Sequence, residues 1–304
     1  MPTVTSANVA LAPVALALGA GVAIGLCLPH LACLRRSRRD SNGTVATADA
    51  NAGGSTHAVR GGLSGGDDGS IRLQKQALIE LLAACLTKAG ASPAHAAQAA
   101  DVLAFADARG IPSHGANRAD TYANEIEAGL VDGLAVPMVE RSTGCCAVIN
   151  GNNALGAVVC NLAMSTALKL AKEHGVAVVA CHKSNHYGAA GYWANQALEA
   201  GMIGLSFTNT APFAAATGGR TRAVGTNPFC CFAPACQGDS FQLDMATTVV
   251  PVGKIEVMDR IGKPLPAGWA VDRHGRSTSD AAEVVRHGAL YPLGGAAQTA
   301  GYKG

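Results

Sequence analysis

A mixed α/β fold is the class this sequence predicts, and three observations carry the prediction. Apolar residues make up 49% of the 304 residues, yet aromatic ones only 4%, and glycine occupies 37 positions. Such a balance suits close packing of small side chains between helices and strands, and it does not suit a disordered chain. Second, β-rich runs at Val176–Cys181 and Met202–Thr208 stand on either side of a helical pattern over Tyr192–Ala200. Third, helical spacing dominates an earlier block, so a helical N-terminal domain (residues 71–150) should precede a sheet-containing one (residues 151–304).

The chain opens with a different kind of segment. Leu11 to Leu34 is almost continuously apolar, and Arg35, Arg36, Arg38 and Arg39 follow at once. Its length is close to the roughly 20 residues that span a bilayer. Positive charges after the apolar core, not before it, disfavour a cleaved secretory signal. They predict a membrane anchor over residues 1–39, attached through residues 11–34, with the body of the chain on the cytosolic side. An organellar (mitochondrial) leader is the alternative, because the first acidic residue is Asp40; a plain cytoplasmic protein is another. Residues 40–70, rich in Gly, Ser, Thr, Asn and Asp, read as a flexible linker.

Leu73, Ala77, Leu78, Leu81, Leu82 and Cys85 follow helical spacing, with Gly90 as a stop. Ser92-Pro93 reads as an N-cap followed by proline at the first helical position, opening a helix towards Asp107. A third helix is expected over residues 117–128, ending at Gly129. Cys146–Asn150 predicts a strand before an Asn150-Gly151 turn, and Ala157–His174 a long helix closed by Gly175. Beyond Thr226 the pattern suggests strands and Pro/Gly turns to the end.

The net charge of +2 supplies no basic field, which argues against a nucleic-acid partner. Ten cysteines are present without a CxxC, and no Cys/His spacing matches a zinc site. Reduced, mostly buried thiols are the expectation.

Three constellations could carry chemistry. In Asp107-Ala-Arg-Gly-Ile-Pro-Ser-His-Gly-Ala-Asn-Arg118, a turn exposes His114, and Arg118 and Tyr122 follow at helical spacing on one face. An imidazole, a guanidinium and a phenol together suit a small hydroxy or keto acid, whose carboxylate Arg can grip bidentately. The same spacing also describes an ordinary surface helix. Next, Lys183-Ser-Asn-His-Tyr-Gly188 places His186 on a loop after a strand, where Ser184 and Asn185 could fix its tautomer. Last come Thr208-Asn-Thr-Ala-Pro212, Thr217-Gly-Gly219, Gly225-Thr-Asn-Pro228 and Leu243-Asp-Met-Ala-Thr247, loops whose amides and hydroxyls could bind a pyrophosphate. No GxGxxG follows a strand, so the ordinary Rossmann fingerprint is missing.

Together ADARGIPSHGANRADTY, NGNNALG, SNHYGAAGYWANQALEAGMIGLSFTNTAP, TGGRTRAVGTNPF, LDMATTVVPVGKI, LPAGWAVDRHGRSTSD and LYPLGG closely resemble the second type of malate/L-lactate dehydrogenase family, in family order. The resemblance implies hydride transfer between NAD or NADP and a 2-hydroxy or 2-oxo acid. It also implies a family-specific, non-Rossmann dinucleotide-binding domain with a mixed sheet, and a homodimer. By motif, His186 falls on the histidine usually assigned as the family's acid/base, which would accept the hydroxyl proton. His114 falls on one given that role in some members, which would hydrogen-bond the same oxygen or substitute as base. Arg118 falls on the carboxylate clamp, with Ser113 and Tyr122 beside the substrate. Thr210, Asp244, Met245, Ala246, Leu293, Gly294 and Gly295 fall on cofactor contacts. Family members continue for several dozen residues past Gly304, which places the rest of the cofactor site beyond it. The rival expectation is an inactive homologue serving as a membrane-tethered binding or dimerisation module.

Overall fold

The computed structural model describes residues 21–26, 64–65 and 71–299. Strand β1 (Gly21–Leu26) and a short pair, β2 (Ser64–Gly65) and β3 (Ile71–Arg72), precede three helices. These are α1 (Lys75–Lys88), α2 (Pro93–Ala108) and α3 (Ala119–Glu127). The chain continues through β4 (Met138–Thr143), β5 (Cys146–Asn150), α4 (Gly156–His174), β6 (Val176–His182), α5 (Ala190–Glu199) and β7 (Ile203–Thr208). Then follow β8 (Ala214–Ala215), β9 (Arg222–Val224), β10 (Phe229–Pro234), β11 (Ser240–Met245) and α6 (Val252–Arg260). The last elements are β12 (Ala270–Val271), α7 (Ala281–Arg286) and β13 (Ala289–Leu290).

Seven strands form one mixed sheet in the order β11-β10-β7-β1-β6-β5-β4. Only β5 and β6 pair in parallel; every other neighbouring pair is antiparallel. Alternation sets the buried face. Ala147 and Ile149 of β5, Ala177, Val179 and Cys181 of β6, and Cys230 and Phe232 of β10 are all buried, and α4 and α5 pack against these strands. Of these, the larger apolar side chains such as Ile149, Val179 and Phe232 contribute about 1.5–3 kcal/mol each when removed from water. A second sheet, β12-β13-β8-β9, belongs to a smaller core with α6 and α7 that includes Val250, Ile255, Leu265 and Val284.

The helical expectations hold closely. Ser92 caps α2 by accepting the His95 N–H at 3.2 Å, with Pro93 in the first turn. Gly175 closes α4 in the left-handed conformation at φ 81°. Cys146–Asn150 is a strand as read.

Other expectations need correction. The apolar run at 11–34 was expected to span a membrane as a helix, but its residues Gly21–Leu26 form β1, hydrogen-bonded between β6 and β7. The run is rich in Val, Ala and Gly, and six such residues serve an interior strand as well as a helix. Among the described residues, no helix is long and apolar enough to cross a membrane. The rest of the 1–39 and 40–70 segments lies outside the described residues, apart from Ser64–Gly65. The third helix starts at Ala119, two residues after its expected start, because 116–118 is a separate 3-10 turn. Strand β4 carried no alternation signal, being exposed along its whole length. The region after Thr226 contains two helices, α6 and α7, where strands and turns were expected; both are short, at nine and six residues, with too few turns to establish a period.

Candidate active site

The His186 loop is built from backbone outward. Strand β6 ends at His182, Lys183 takes a left-handed φ of 49°, and α5 begins at Ala190. The turn after β5 clamps this loop from one side. Gly151 N–H donates to the His182 carbonyl at 2.8 Å, and Asn153 N–H to the Lys183 carbonyl at 2.9 Å. Asn185 Nδ2 donates back to the carbonyls of Asn153 and Ala154 at 3.2 and 2.9 Å. At Gly156 a Cβ would lie 2.4 Å from the carbonyl oxygens of both Asn185 and His186, so only glycine permits this approach. On the other flank, Trp193 is 1% exposed and donates from Nε1 to the Tyr187 carbonyl at 3.1 Å. The loop that carries His186 is therefore stiff, and its unusual backbone angles are held by these contacts.

Around His186 the sequence-nominated groups converge. Its Nδ1 lies 2.6 Å from Tyr122 Oη and accepts the Gly188 N–H at 3.3 Å. The His114 ring stacks beside it, with centroids 5.5 Å apart and planes 25° from parallel. His114 Nδ1 is 3.0 Å from Ser113 Oγ. Arg118 donates from Nε to the Ser113 carbonyl at 2.9 Å and from Nη2 to Glu256 of α6. Ser184 and Asn185 were expected to fix the His186 tautomer; Tyr122 and Gly188 hold Nδ1 instead, and Asn185 anchors the loop.

His114, Arg118 and Tyr122 do not share one continuous helical face as their spacing suggested. Gly115, at ψ −148°, breaks the chain between a 3-10 turn at Pro112–His114 and another at Ala116–Arg118, before α3 starts. The three side chains meet by folding of this irregular segment. Asp107 Oδ2 holds it by accepting the Ala116 N–H at 2.8 Å.

The electrostatics keep both imidazoles neutral near pH 7. His114 is lowered to about 4, mainly because burial disfavours its cation and further because Arg118 is near, with Glu256 opposing. His186 is lowered to about 3 by loss of solvation first, then by His114 and Arg118. The residue is nevertheless exposed on one side, which is the side a ligand can reach. Tyr122, 4% exposed, is pushed up by burial and stays a phenol.

The expected cofactor residues form a second strip. Thr226 N–H donates to Thr210 Oγ1 at 2.8 Å, and Thr210 N–H to Asn227 Oδ1 at 3.1 Å. Thr247 donates its N–H and its hydroxyl to the Thr226 carbonyl at 2.8 and 3.0 Å. Leu293 N–H reaches the Thr247 carbonyl at 2.9 Å. Thr210, Met245-Ala246 and Leu293-Gly294-Gly295 are thus tied into one surface, with both glycines at positive φ. Asp244 joins the strip to the histidine loop, because its Oδ2 accepts the Gly191 N–H at the start of α5 at 2.8 Å. Desolvation raises the Asp244 carboxyl, and the Gly191 bond opposes it. The amides and hydroxyls named in this strip bond one another, which fixes its backbone, and the exposed Leu293 gives it an apolar edge.

Sequence reasoning missed Glu256, the partner of Arg118. It lies 138 residues further on, within a segment read as strand and turn. Its signal was Pro251 opening a helix, which would have turned Gly253 and Glu256 to one side. At Gly253 a Cβ would meet Arg118 Nη2 and Ser113 Cβ, each at 2.9 Å, so α6 lies hard against the substrate-side segment.

A mixed sheet that carries two stacked histidines beside a guanidinium defines the class as a non-Rossmann α/β protein. The chain belongs to the malate/L-lactate dehydrogenase family, whose model matches residues 73–304. It is 44% identical over 239 residues to malate dehydrogenase of Pyrococcus horikoshii, covering 78% of this chain and 66% of that one. It is 37% identical over 225 residues to ureidoglycolate dehydrogenase (NAD(+)) of Escherichia coli K12, covering 74% of this chain and 64% of that one. Among solved structures, malate dehydrogenase from Entamoeba histolytica matches with a TM-score of 0.72 at 32% identity, covering 76% of this chain and 67% of that chain. The chain thus spans just under two thirds of the length of these two curated relatives.

Proposed function

We propose that the chain is an oxidoreductase that moves a hydride between NAD or NADP and a small 2-hydroxy/2-oxo acid such as malate or lactate. The observation that carries this reading is the pair of stacked neutral histidines, His114 and His186, next to the Arg118 guanidinium. A neutral imidazole is suited to reversible exchange of the proton on the C2 oxygen, the group whose protonation must change as hydride leaves or arrives. Arg118 is the substrate clamp. Its Nε and one Nη2 proton are engaged by Ser113 and Glu256, so a carboxylate would be gripped at the outer Nη1 side. Ser113 positions both Arg118 and His114, and Tyr122 contacts His186.

Thr210, Asp244, Met245, Ala246, Leu293, Gly294 and Gly295 would hold the nicotinamide end. That group supplies the hydride acceptor or donor when bound. The protein's own contribution is to place the C2 carbon against the strip, hold the carboxylate and exchange the proton.

The relatives named for malate and ureidoglycolate support a 2-hydroxy acid substrate, and the NAD(+) in one of their names supports that cofactor over NADP. Edge strand β4 and its approach expose Leu130, Leu134, Val136, Met138 and Val139; large apolar side chains left in water along an unpaired sheet edge support the homodimer.

Purified protein should oxidise NADH or NADPH with at least one of pyruvate, oxaloacetate or another 2-oxo acid. Nicotinamide fluorescence should rise on binding. Well-folded protein that neither binds nor turns over any of the panel would overturn the reading. In the same assay, Arg118→Ala should raise the apparent KM for the 2-oxo acid by roughly 10-fold or more, the value of a lost charge-assisted hydrogen bond. An unchanged KM would count against the clamp.

A further inference from the structure

The two stacked histidines differ in what holds their inner nitrogens, and the difference divides their labour. A backbone N–H can only donate. Gly188 N–H is directed at His186 Nδ1 at 3.3 Å, so that nitrogen is an acceptor and carries no proton. Tyr122 Oη, 2.6 Å away on a buried side chain, then donates its hydroxyl proton to the same atom. In a neutral ring the proton must therefore sit on Nε2. His114 is under no such constraint. Its Nδ1 faces Ser113 Oγ at 3.0 Å, and a serine hydroxyl accepts as readily as it donates. His114 can keep Nδ1–H and leave Nε2 with a free lone pair.

We propose that Tyr122 is a positioning residue that holds His186 as the Nε2–H tautomer, making His186 a neutral hydrogen-bond donor to the substrate's C2 oxygen while His114 alone exchanges the proton. The proposal rests on the oxidoreductase reading above. In the oxidation direction the C2–H bond breaks and its electron pair leaves as hydride to the nicotinamide. The hydroxyl O–H bond breaks too, its proton going to His114 Nε2, and C2–O becomes a double bond. His186 breaks no bond; its Nε2–H stabilises the negative charge that builds on that oxygen. Tyr122 is accordingly kept from the substrate, its hydroxyl already committed.

The test has a spectroscopic arm and a kinetic arm. In a long-range proton–nitrogen correlation spectrum of the ¹⁵N-histidine-labelled full chain without ligand, the His186 ring should show a pyridine-type Nδ1 and a pyrrole-type Nε2. A pyrrole-type Nδ1 would overturn the proposal, whatever the catalytic results. Tyr122→Phe leaves only the longer Gly188 N–H, at 3.3 Å, to hold Nδ1 unprotonated. Some Nδ1–H tautomer should then appear beside the Nε2–H form, and kcat should fall about tenfold, the cost of one hydrogen bond. No change in either the spectrum or kcat also overturns it. In the kinetic arm, His186→Gln keeps an N–H donor and should retain at least tenfold more kcat than His186→Ala. His114→Gln should be as impaired as His114→Ala, because an amide is no base. Equal loss in the two His186 variants contradicts the donor role. A wild-type chain that turns over no 2-oxo acid defeats the underlying reading and leaves the tautomer result standing as a separate finding.

Discussion

Single residues decide whether the histidine pocket exists. Gly156 is the clearest case, since a methyl group there would run into two carbonyl oxygens of the His186 loop. Gly156→Ala should lower stability by about 1–3 kcal/mol, the usual cost of forcing extra volume into a packed site, and should impair turnover beyond that. A thermal melt and a kcat measurement check both. The histidines also write their environment into the pH dependence of stability. His114 is lowered from 6.5 to about 4 in the folded chain, so between those values the unfolded state binds more protons. Its contribution is present above pH 6.5 and is lost as pH falls towards 4. His114→Asn should flatten the fall of Tm over that interval; an equally steep fall would place acid sensitivity elsewhere. His114, Arg118, Tyr122 and His186 could all be nominated from the sequence because they sit in compact motifs rich in Gly, Pro and small polar residues. Glu256 and the Gly188 N–H could not. One lies in a short helix far along the chain, and the other is a backbone group whose role comes from the turn it joins.

Among elements, legibility followed length and capping. Helix α2 announced itself through Ser92 and Pro93, and its cap bond is present at 3.2 Å. Ser92→Ala should cost about 1 kcal/mol in thermal or denaturant unfolding, with no effect on cofactor affinity, since α2 is read from its own cap. Helix α4 likewise ran to its glycine stop. Strand β4 was hidden because it exposes every residue and so has no inside–outside rhythm. The segment from Ile111 to Arg118 was half legible. Its polar side chains were recognised as a group, but the spacing implied one helix, whereas two 3-10 turns with Gly115 between them bring those side chains together. Helix α6 matters most among the missed elements, because it presses Gly253 and Glu256 against Ser113 and Arg118 and so couples the smaller core to the site. Glu256→Gln should leave the fold intact and change the KM for 2-oxo acids more than the affinity for NADH. The reverse ranking would show that α6 serves the strip and not the clamp.

At the scale of the whole molecule, the mixed α/β class followed from composition and alternation, but the sheet's order did not. Residues 21–26 are the main lesson. Hydropathy alone made them part of a membrane span, whereas hydrogen bonding places them as an interior strand with partners on both sides. Length and greasiness are shared by spans and buried strands, and only long-range pairing separates them. The placement is testable on the backbone itself. Ile24→Pro removes a ladder donor from an interior strand and leaves its carbonyl partner unmet, which should cost about 1–3 kcal/mol, lowering Tm; an unchanged Tm would contradict β1 as part of the sheet. The sheet in turn sets the pocket: β5 and β6 run in parallel, so the turn after one clamps the loop after the other, and α5 carries that loop on to Asp244. The central claim is that this assembly holds a 2-hydroxy or 2-oxo acid against two histidines, one exchanging the proton and the other donating a hydrogen bond to the C2 oxygen, and binds the nicotinamide on a separate strip. The most direct measurement is NADH-dependent reduction of a 2-oxo acid by His186→Ala, alongside its NADH dissociation constant. Loss of the donor to the C2 oxygen should lower kcat by at least about 100-fold with NADH affinity within about twofold of wild type; a parallel loss of both, or full activity, would contradict it.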